Sequence, residues 1–320
     1  MLPGVVPLER RRLGASELEV SELSLGSWRT YERIPRDAGV AVMRKAREVG
    51  ITFLDDARYN DETGTAPIKT GYSEIVFGEI FRASGWKRDE VTLANKLWWE
   101  FWPEQSAEAE LDSSLQRMGM DYLDLAYAER PPRGLAVEQI VHDVTELMKT
   151  GKLRAWGVLN WPAALIAEAA AAATRQGVPG PCAAQLPYSL VTRSPVEDPE
   201  MVEALNSAHT SVVASYTLAG GALSGKYDQV GAKGRIADAI DGRDYSGALS
   251  AGRELSKFAR EHGVPPASMA IAFVLLNPMV ATVLFGATNP EQISENLAAV
   301  ELKTQMDAEA IAALRRIASP

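Results

Sequence analysis

Short apolar runs and amphipathic stretches alternate along this chain with a steady beat. Runs at 23–26, 51–54, 91–95, 122–128, 155–158, 181–185, 211–215 and 281–285 have the length and apolar character of strands. The stretch after the first run puts Ala38, Val42, Ala46 and Val49 on one helical face. Further helices are expected at 73–84, 106–118, 137–150, 162–175, 198–207, 251–262, 266–276, 290–300 and 307–317. Gly50, Gly85, Gly119 and Gly151 stand where four of these stretches stop, as glycine commonly does just past a helix. A segment at 218–250, rich in Gly, Asp and Arg, is the one long break in the beat.

Strands that alternate with helices call for a parallel sheet, and eight such units close into a (β/α)₈ TIM barrel of the α/β class. A barrel of this length runs as one domain, here expected over 1–320. The rival is an open, doubly wound sheet, which would carry a Gly-rich turn after its first strand. The first run ends Leu25-Gly26-Ser27-Trp28 and lacks that turn.

Composition narrows the class. Hydrophobic residues at 46% and charged residues at 23% fit a globular protein with a large core. A net charge of −9 argues against a nucleic-acid partner. The single Cys182 excludes an internal disulfide and a cysteine metal cluster. The apolar stretch 267–287 imitates a membrane span, but Asn277-Pro278 divides it into a helix-sized and a strand-sized piece. With no apolar leader at the N-terminus, the expectation is a cytoplasmic protein with no membrane association.

In a barrel the chemistry collects where strands end. The second run stops at Asp55-Asp56, and Tyr59 follows four residues after Asp55. The third run delivers Lys96 to the same face, where a lysine must find a carboxylate or lose its charge. An ammonium paired with Asp55 beside a phenol would favour phenolate and let Tyr59 exchange a proton with substrate. The plain alternative is a structural salt bridge in the barrel mouth. Asp55 and Asp56 could instead serve a metal-dependent hydrolase. Such a site wants histidines at strand ends, whereas His142, His209 and His262 fall in helices or at helix ends. Gly220 to Lys226 imitates a phosphate-binding P-loop, but Tyr227 stands where a Ser or Thr would hold magnesium. No metal is expected.

These motifs together resemble the aldo-keto reductase superfamily over nearly the whole chain. The resemblance rests on Asp55…Tyr59, Lys96, Gly71-Tyr72-Ser73-Glu74 and the stretch from Asp121 through Glu129-Arg130-Pro131. It continues through Gly157-Val158-Leu159-Asn160, Gln185-Leu186-Pro187-Tyr188 and Leu223-Ser224-Gly225-Lys226-Tyr227. Gly286-Ala287-Thr288-Asn289-Pro290-Glu291-Gln292 with Glu295-Asn296 is most similar to the branch of potassium-channel β-subunits and their bacterial relatives.

The resemblance implies an NADP-dependent oxidoreductase that passes hydride from NADPH to an aldehyde or ketone. The implied catalytic residues are Asp55, Tyr59 (the proton donor), Lys96 and Glu129. The implied cofactor residues are Ser27, Trp28, Asp55, Asn160, Gln185, Tyr216, Thr217, Leu218, Gly221, Leu223, Lys226, Gly286, Thr288, Gln292, Glu295 and Asn296. Tyr216 would stack on the nicotinamide, with Asn160 and Gln185 on its carboxamide. The helix opening at Pro290 would take the adenosine phosphate at its N-terminus. Asn289 is uncharged where many relatives carry Lys or Arg, so preference for NADPH rests on the resemblance. The implied partner is a small carbonyl substrate, and a homo-oligomer is compatible with the sequence.

Two departures qualify this expectation. The family usually places the tyrosine five residues after the aspartate; here the interval is four, an inserted loop 60–70 follows, and Tyr72 is a second candidate. Glu129 stands where the family's histidine does; a steroid double-bond reductase branch shares that Glu, and the channel branch has Asn. Reduction of a conjugated C=C bond, or a slow or inactive NADPH-binding regulator, are therefore the alternatives.

Overall fold

The computed structural model describes residues 7–60, 66–229, 231–232, 234, 236–237 and 242–317. Parts of the 60–70 loop, of 218–250 and of both chain ends named above lie outside them. A small antiparallel hairpin, β1 (Arg10–Arg12) and β2 (Glu19–Ser21), comes first. Eight parallel strands follow: β3 (Leu23–Gly26), β4 (Phe53–Asp55), β5 (Thr92–Leu97), β6 (Leu123–Ala128), β7 (Leu153–Leu159), β8 (Ala183–Pro187), β9 (Ser211–Ser215) and β10 (Val280–Phe285). They close into a barrel in chain order, with β10 paired to both β9 and β3. The fold is the (β/α)₈ TIM barrel expected from the alternation.

Side chains on each strand alternate between barrel interior and helix layer, and this decides what reaches the site. Phe53, Ala94, Leu125 and Tyr127 belong to the interior cluster, whereas Leu54, Leu93, Ala126 and Ala128 pack outward. Two positions further along β4, β5 and β6, the same parity aims Asp55, Lys96 and Glu129 inward. Asp56 and Asn95 face the helices instead; the Asn95 amide donates to Glu74 at 2.8 Å.

The outer layer holds α1 (Arg36–Glu48), α2 (Tyr72–Ser84), α3 (Ala107–Met118), α4 (Val137–Lys149), α5 (Ala163–Gln176), α6 (Ser194–Glu197), α7 (Pro199–Ser207), α8 (Ser246–Glu261), α9 (Pro266–Leu275), α10 (Pro290–Gln305) and α11 (Ala308–Ile317). Ser106 caps α3 by accepting the Ala109 N–H at 3.2 Å, and Gly119 closes that helix at φ +67°. The helix expected at 251 begins five residues earlier, and the one expected at 290–300 runs on to Gln305. The 267–287 stretch is α9 and β10, divided at Asn277, whose side chain accepts from Met279 N at 3.0 Å. Among the described residues no helix is long and apolar enough to cross a membrane.

The hairpin closes the barrel end opposite the site. Leu13 and Val20 are fully buried against the interior cluster. Gly14 sits so close that an added Cβ would lie 2.3 Å from the His209 carbonyl oxygen, hence the residue without one.

Candidate active site

The strand-end face carries a buried ion pair. Lys96 Nζ donates to Asp55 Oδ2 at 2.6 Å and to the Asp56 carbonyl at 2.6 Å, and both side chains are about 95% shielded. Neighbouring strands explain the match: β4 and β5 run parallel with Asp55 beside Ala94, so Lys96 reaches across. A third group joins from the far side of the barrel, for Gln185 Nε2 donates to Asp55 Oδ2 at 3.0 Å. Beneath them the Tyr127 ring lies 5.6 Å from Lys96 Nζ, its phenol held neutral by burial and by Asp55. Asp55 Oδ1 has no partner among the described residues.

Tyr59 does not join this cluster. Its hydroxyl oxygen accepts the Arg29 backbone N–H at 2.9 Å. Burial raises its pKa, and the Glu32 and Asp56 carboxylates raise it further. The Lys96 ammonium donates to Asp55 and to the Asp56 carbonyl, and the Tyr59 phenol is held protonated, as a proton donor must be. Five residues after Asp55, where the family usually has its tyrosine, stands Asn60, exposed and bridged to Thr70. Tyr72 is turned to α1, its oxygen accepting from Arg36 at 3.0 Å.

Glu129 lies one residue beyond β6, half-buried, with its backbone N–H on the Leu97 carbonyl at 2.9 Å. Desolvation raises its pKa above the ordinary carboxylate value. The Arg130 N–H at 2.9 Å and the charges of Arg130 and Lys96 oppose the rise without cancelling it. A carboxyl in that state can donate a hydrogen bond, as the neutral imidazole of the family would.

The candidate cofactor residues fall along one arc of the same face. Asn160, after β7, is in the left-handed region at φ 55°, and its buried Oδ1 has no partner among the described residues. That atom fits an amide donor such as the nicotinamide carboxamide. Gln185, expected to do the same, is drawn to Asp55 by its amide nitrogen. Tyr216, after β9, stacks on Tyr245 with centroids 6.5 Å apart, the two hydroxyls in contact and Arg243 4.6 Å over its ring. Thr217, Leu218, Gly221 and Leu223 form the tight turns that follow, with the Leu218 carbonyl accepting from Gly221 and Leu223. At Gly221 an added Cβ would meet Lys226 Cε at 2.8 Å, so the glycine lets the lysine lie across the turn. At α10, Asn289 caps the helix by accepting from Gln292 N at 3.0 Å, and Gln292 in turn accepts from Thr288 N at 2.8 Å. Gly286 precedes this cap; Glu295 receives Ser268 at its carbonyl and Asn296 is buried. Ser27 is spent on Asp56, to which its hydroxyl donates, and Trp28 carries the Arg29 guanidinium 4.8 Å over its ring. An unpartnered amide oxygen, a glycine-lined turn under a lysine and a capped helix N-terminus suit a dinucleotide.

Two features escaped the sequence. Asp56 is fully buried beneath α2, and desolvation together with Glu74 lifts its pKa to about 8. Only its place beside Asp55 hinted at that. Arg58 is buried and clasps Glu110 and Glu100, each at 2.9 Å, while Glu110 also accepts the Trp98 and Trp99 N–H groups at 2.7 and 3.0 Å. This clasp ties the loop after β4 to the loop after β5.

A family model described as "Aldo/keto reductase family" matches residues 22–319. The chain is 31% identical over 319 residues to a probable voltage-gated potassium channel subunit beta of Oryza sativa subsp. japonica, covering 92% of each. It is 31% identical over 310 residues to a putative voltage-gated potassium channel subunit beta of Schizosaccharomyces pombe, covering 91% of this chain and 88% of the relative. Against a probable voltage-gated potassium channel subunit beta of Arabidopsis thaliana it is 28% identical over 310 residues, covering 92% of each. With its closed eight-stranded barrel and the inward-facing Asp55, Lys96 and Glu129, the chain belongs to the aldo/keto reductase family.

Proposed function

We propose that this protein is an NADPH-dependent oxidoreductase that reduces a carbonyl compound, with Glu129 in place of Tyr59 as the group that donates to the substrate oxygen. The observation that carries this reading is the Lys96–Asp55 pair, with Glu129 delivered beside it and its pKa raised. Bound NADPH supplies a hydride from its dihydronicotinamide. The chain's own residues do the rest. Asn160 orients the carboxamide, the turn at 217–226 and the α10 N-terminus take the phosphates, and the ammonium of Lys96 offsets negative charge growing on the oxygen. Protonated Glu129 gives up its proton to that oxygen and recovers one from solvent. An enone can use the same donor at its carbonyl oxygen while hydride adds to the conjugated carbon.

Consumption of NADPH against a panel of aldehydes, ketones and enones tests the reading. Absence of turnover on every class, with NADPH still bound, would leave a second reading: a dinucleotide-binding regulatory protein. The Tyr59 hydrogen bond to Arg29 favours that second reading, as do relatives that carry the names of channel subunits.

A further inference from the structure

We propose that Arg130 anchors the substrate, and that the substrate is a carbonyl compound carrying a carboxylate. This rests on the oxidoreductase reading above and names its substrate class. Arg130 follows Glu129 directly at the end of β6. Its Nε donates to the Asn160 carbonyl oxygen at 2.6 Å, so the guanidinium bridges the ends of β6 and β7. Asn160 is itself pinned, its N–H on the Gln185 carbonyl at 3.0 Å and its φ at 55°, so the direction of that carbonyl is set by backbone. One edge of the guanidinium is thereby used and its plane fixed. The terminal nitrogens have no ion-pair partner among the described residues, and the side chain is exposed on the site's face. A fixed guanidinium with its outer edge open matches a carboxylate, which takes two parallel N–H bonds.

Among the described residues, three carboxylates near this mouth have cationic partners. Glu100 pairs with Arg58, Glu32 with Arg33 and Asp55 with Lys96. Two further guanidinium groups lie on loops at the same strand-end face, Arg29 on the Trp28 ring and Arg243 on the Tyr216 ring.

A carboxylate at Arg130 would also act on the acid next to it. Arg130 and Lys96 are the two charges that favour ionised Glu129. Pairing Arg130 with a substrate anion offsets one of them and moves Glu129 toward its protonated form. The anionic substrate thus helps to load the proton that it will receive.

The test compares 4-formylbenzoate with its methyl ester, following NADPH consumption in the wild type, Arg130→Gln and Arg130→Lys. The expected result is a KM for the acid about 10- to 100-fold below that of the ester in wild type, an advantage lost in Arg130→Gln and partly kept in Arg130→Lys. Dinucleotide affinity should stay unchanged in both variants. Equal use of acid and ester by wild type, or an advantage that survives Arg130→Gln, overturns the anchor. A loss of dinucleotide affinity as large as any loss for the acid overturns it too, since the charge then serves the cofactor. If neither compound is reduced, the oxidoreductase reading fails, and the anchor is still read from quenching of tryptophan fluorescence by benzoate. Saturable quenching abolished by Arg130→Gln supports it; quenching that is absent, or equal in both proteins, overturns it.

Discussion

The Tyr59 hydroxyl oxygen accepts the Arg29 backbone N–H at 2.9 Å, while the Lys96 ammonium donates to Asp55 and the Asp56 carbonyl. The phenol therefore secures the loop after β3, where Arg29 sits in the left-handed region at φ 51°. Tyr59→Phe removes the hydrogen bonds to Arg29 and Glu32 and should cost about 2 kcal/mol of stability. Turnover on a good substrate should change by less than about tenfold, far short of the loss expected for a proton donor. A 10²-fold loss with the melting temperature unchanged would return the donor role to Tyr59.

Lys96→Met should be the more damaging change. It leaves Asp55 buried at 3% exposure with its cation gone, and breaking a buried pair in this way costs about 3–5 kcal/mol. Turnover should fall by about 10²-fold or more, because the charge that offsets the developing oxyanion is lost. Adding Asp55→Asn to Lys96→Met should restore much of the stability and none of the turnover. Thermal unfolding and steady-state rates on the same samples separate the two effects.

The barrel was legible because its signals are local and repeated. Each apolar run is buried on both faces, and most stretches at helical spacing became helices within a few residues of their expected limits. Asp55 and Lys96 were legible too, since a charge at the end of an apolar run must be satisfied by something. The hairpin was not: Arg10-Arg11-Arg12 reads as a charged segment, and Leu13 and Val20 are isolated apolar residues whose burial depends on an open barrel end. The direction of Tyr59 was equally hidden. It depends on the Arg29 backbone, thirty residues earlier in the chain, and no spacing rule relates the two. Gln185 shows the same limit, because its partner Asp55 lies across the barrel, 130 residues away in sequence.

Asp56 predicts an unusual dependence of stability on pH. Its pKa is near 3.8 in the unfolded chain and about 8 when buried beside Glu74. Between those values the unfolded chain gives up the proton that the folded protein keeps, so stability falls as pH rises from about 4 to about 8 and levels off above. Asp56→Asn removes this ionisation while keeping the shape. Its melting temperature should match wild type below about pH 4 and exceed it by a growing margin up to about pH 8. A margin that does not change with pH would show that Asp56 is ionised in the folded protein throughout.

If Glu129 is the donor proposed above, it should govern the pH dependence of the reaction in the opposite sense to a general base. Desolvation raises its pKa, so a fraction stays protonated above the ordinary carboxylate range, while Arg130 and Lys96 limit that fraction. Only the protonated form can donate to the substrate oxygen; the ionised form repels the charge that grows there. Activity should therefore fall as pH rises through the Glu129 pKa, and simple aldehydes should be poor substrates at neutral pH. Glu129→Gln keeps an uncharged donor of similar size but has no proton to give, so it should flatten this limb at a lower maximal rate. Glu129→His supplies a donor of the kind usual in the family, and should raise aldehyde reduction at neutral pH. Profiles of kcat/KM against pH for the three proteins decide the matter. A wild type that reduces aldehydes rapidly at high pH, and is slowed by Glu129→His, would show that Glu129 acts in its ionised form and that the proton comes from elsewhere.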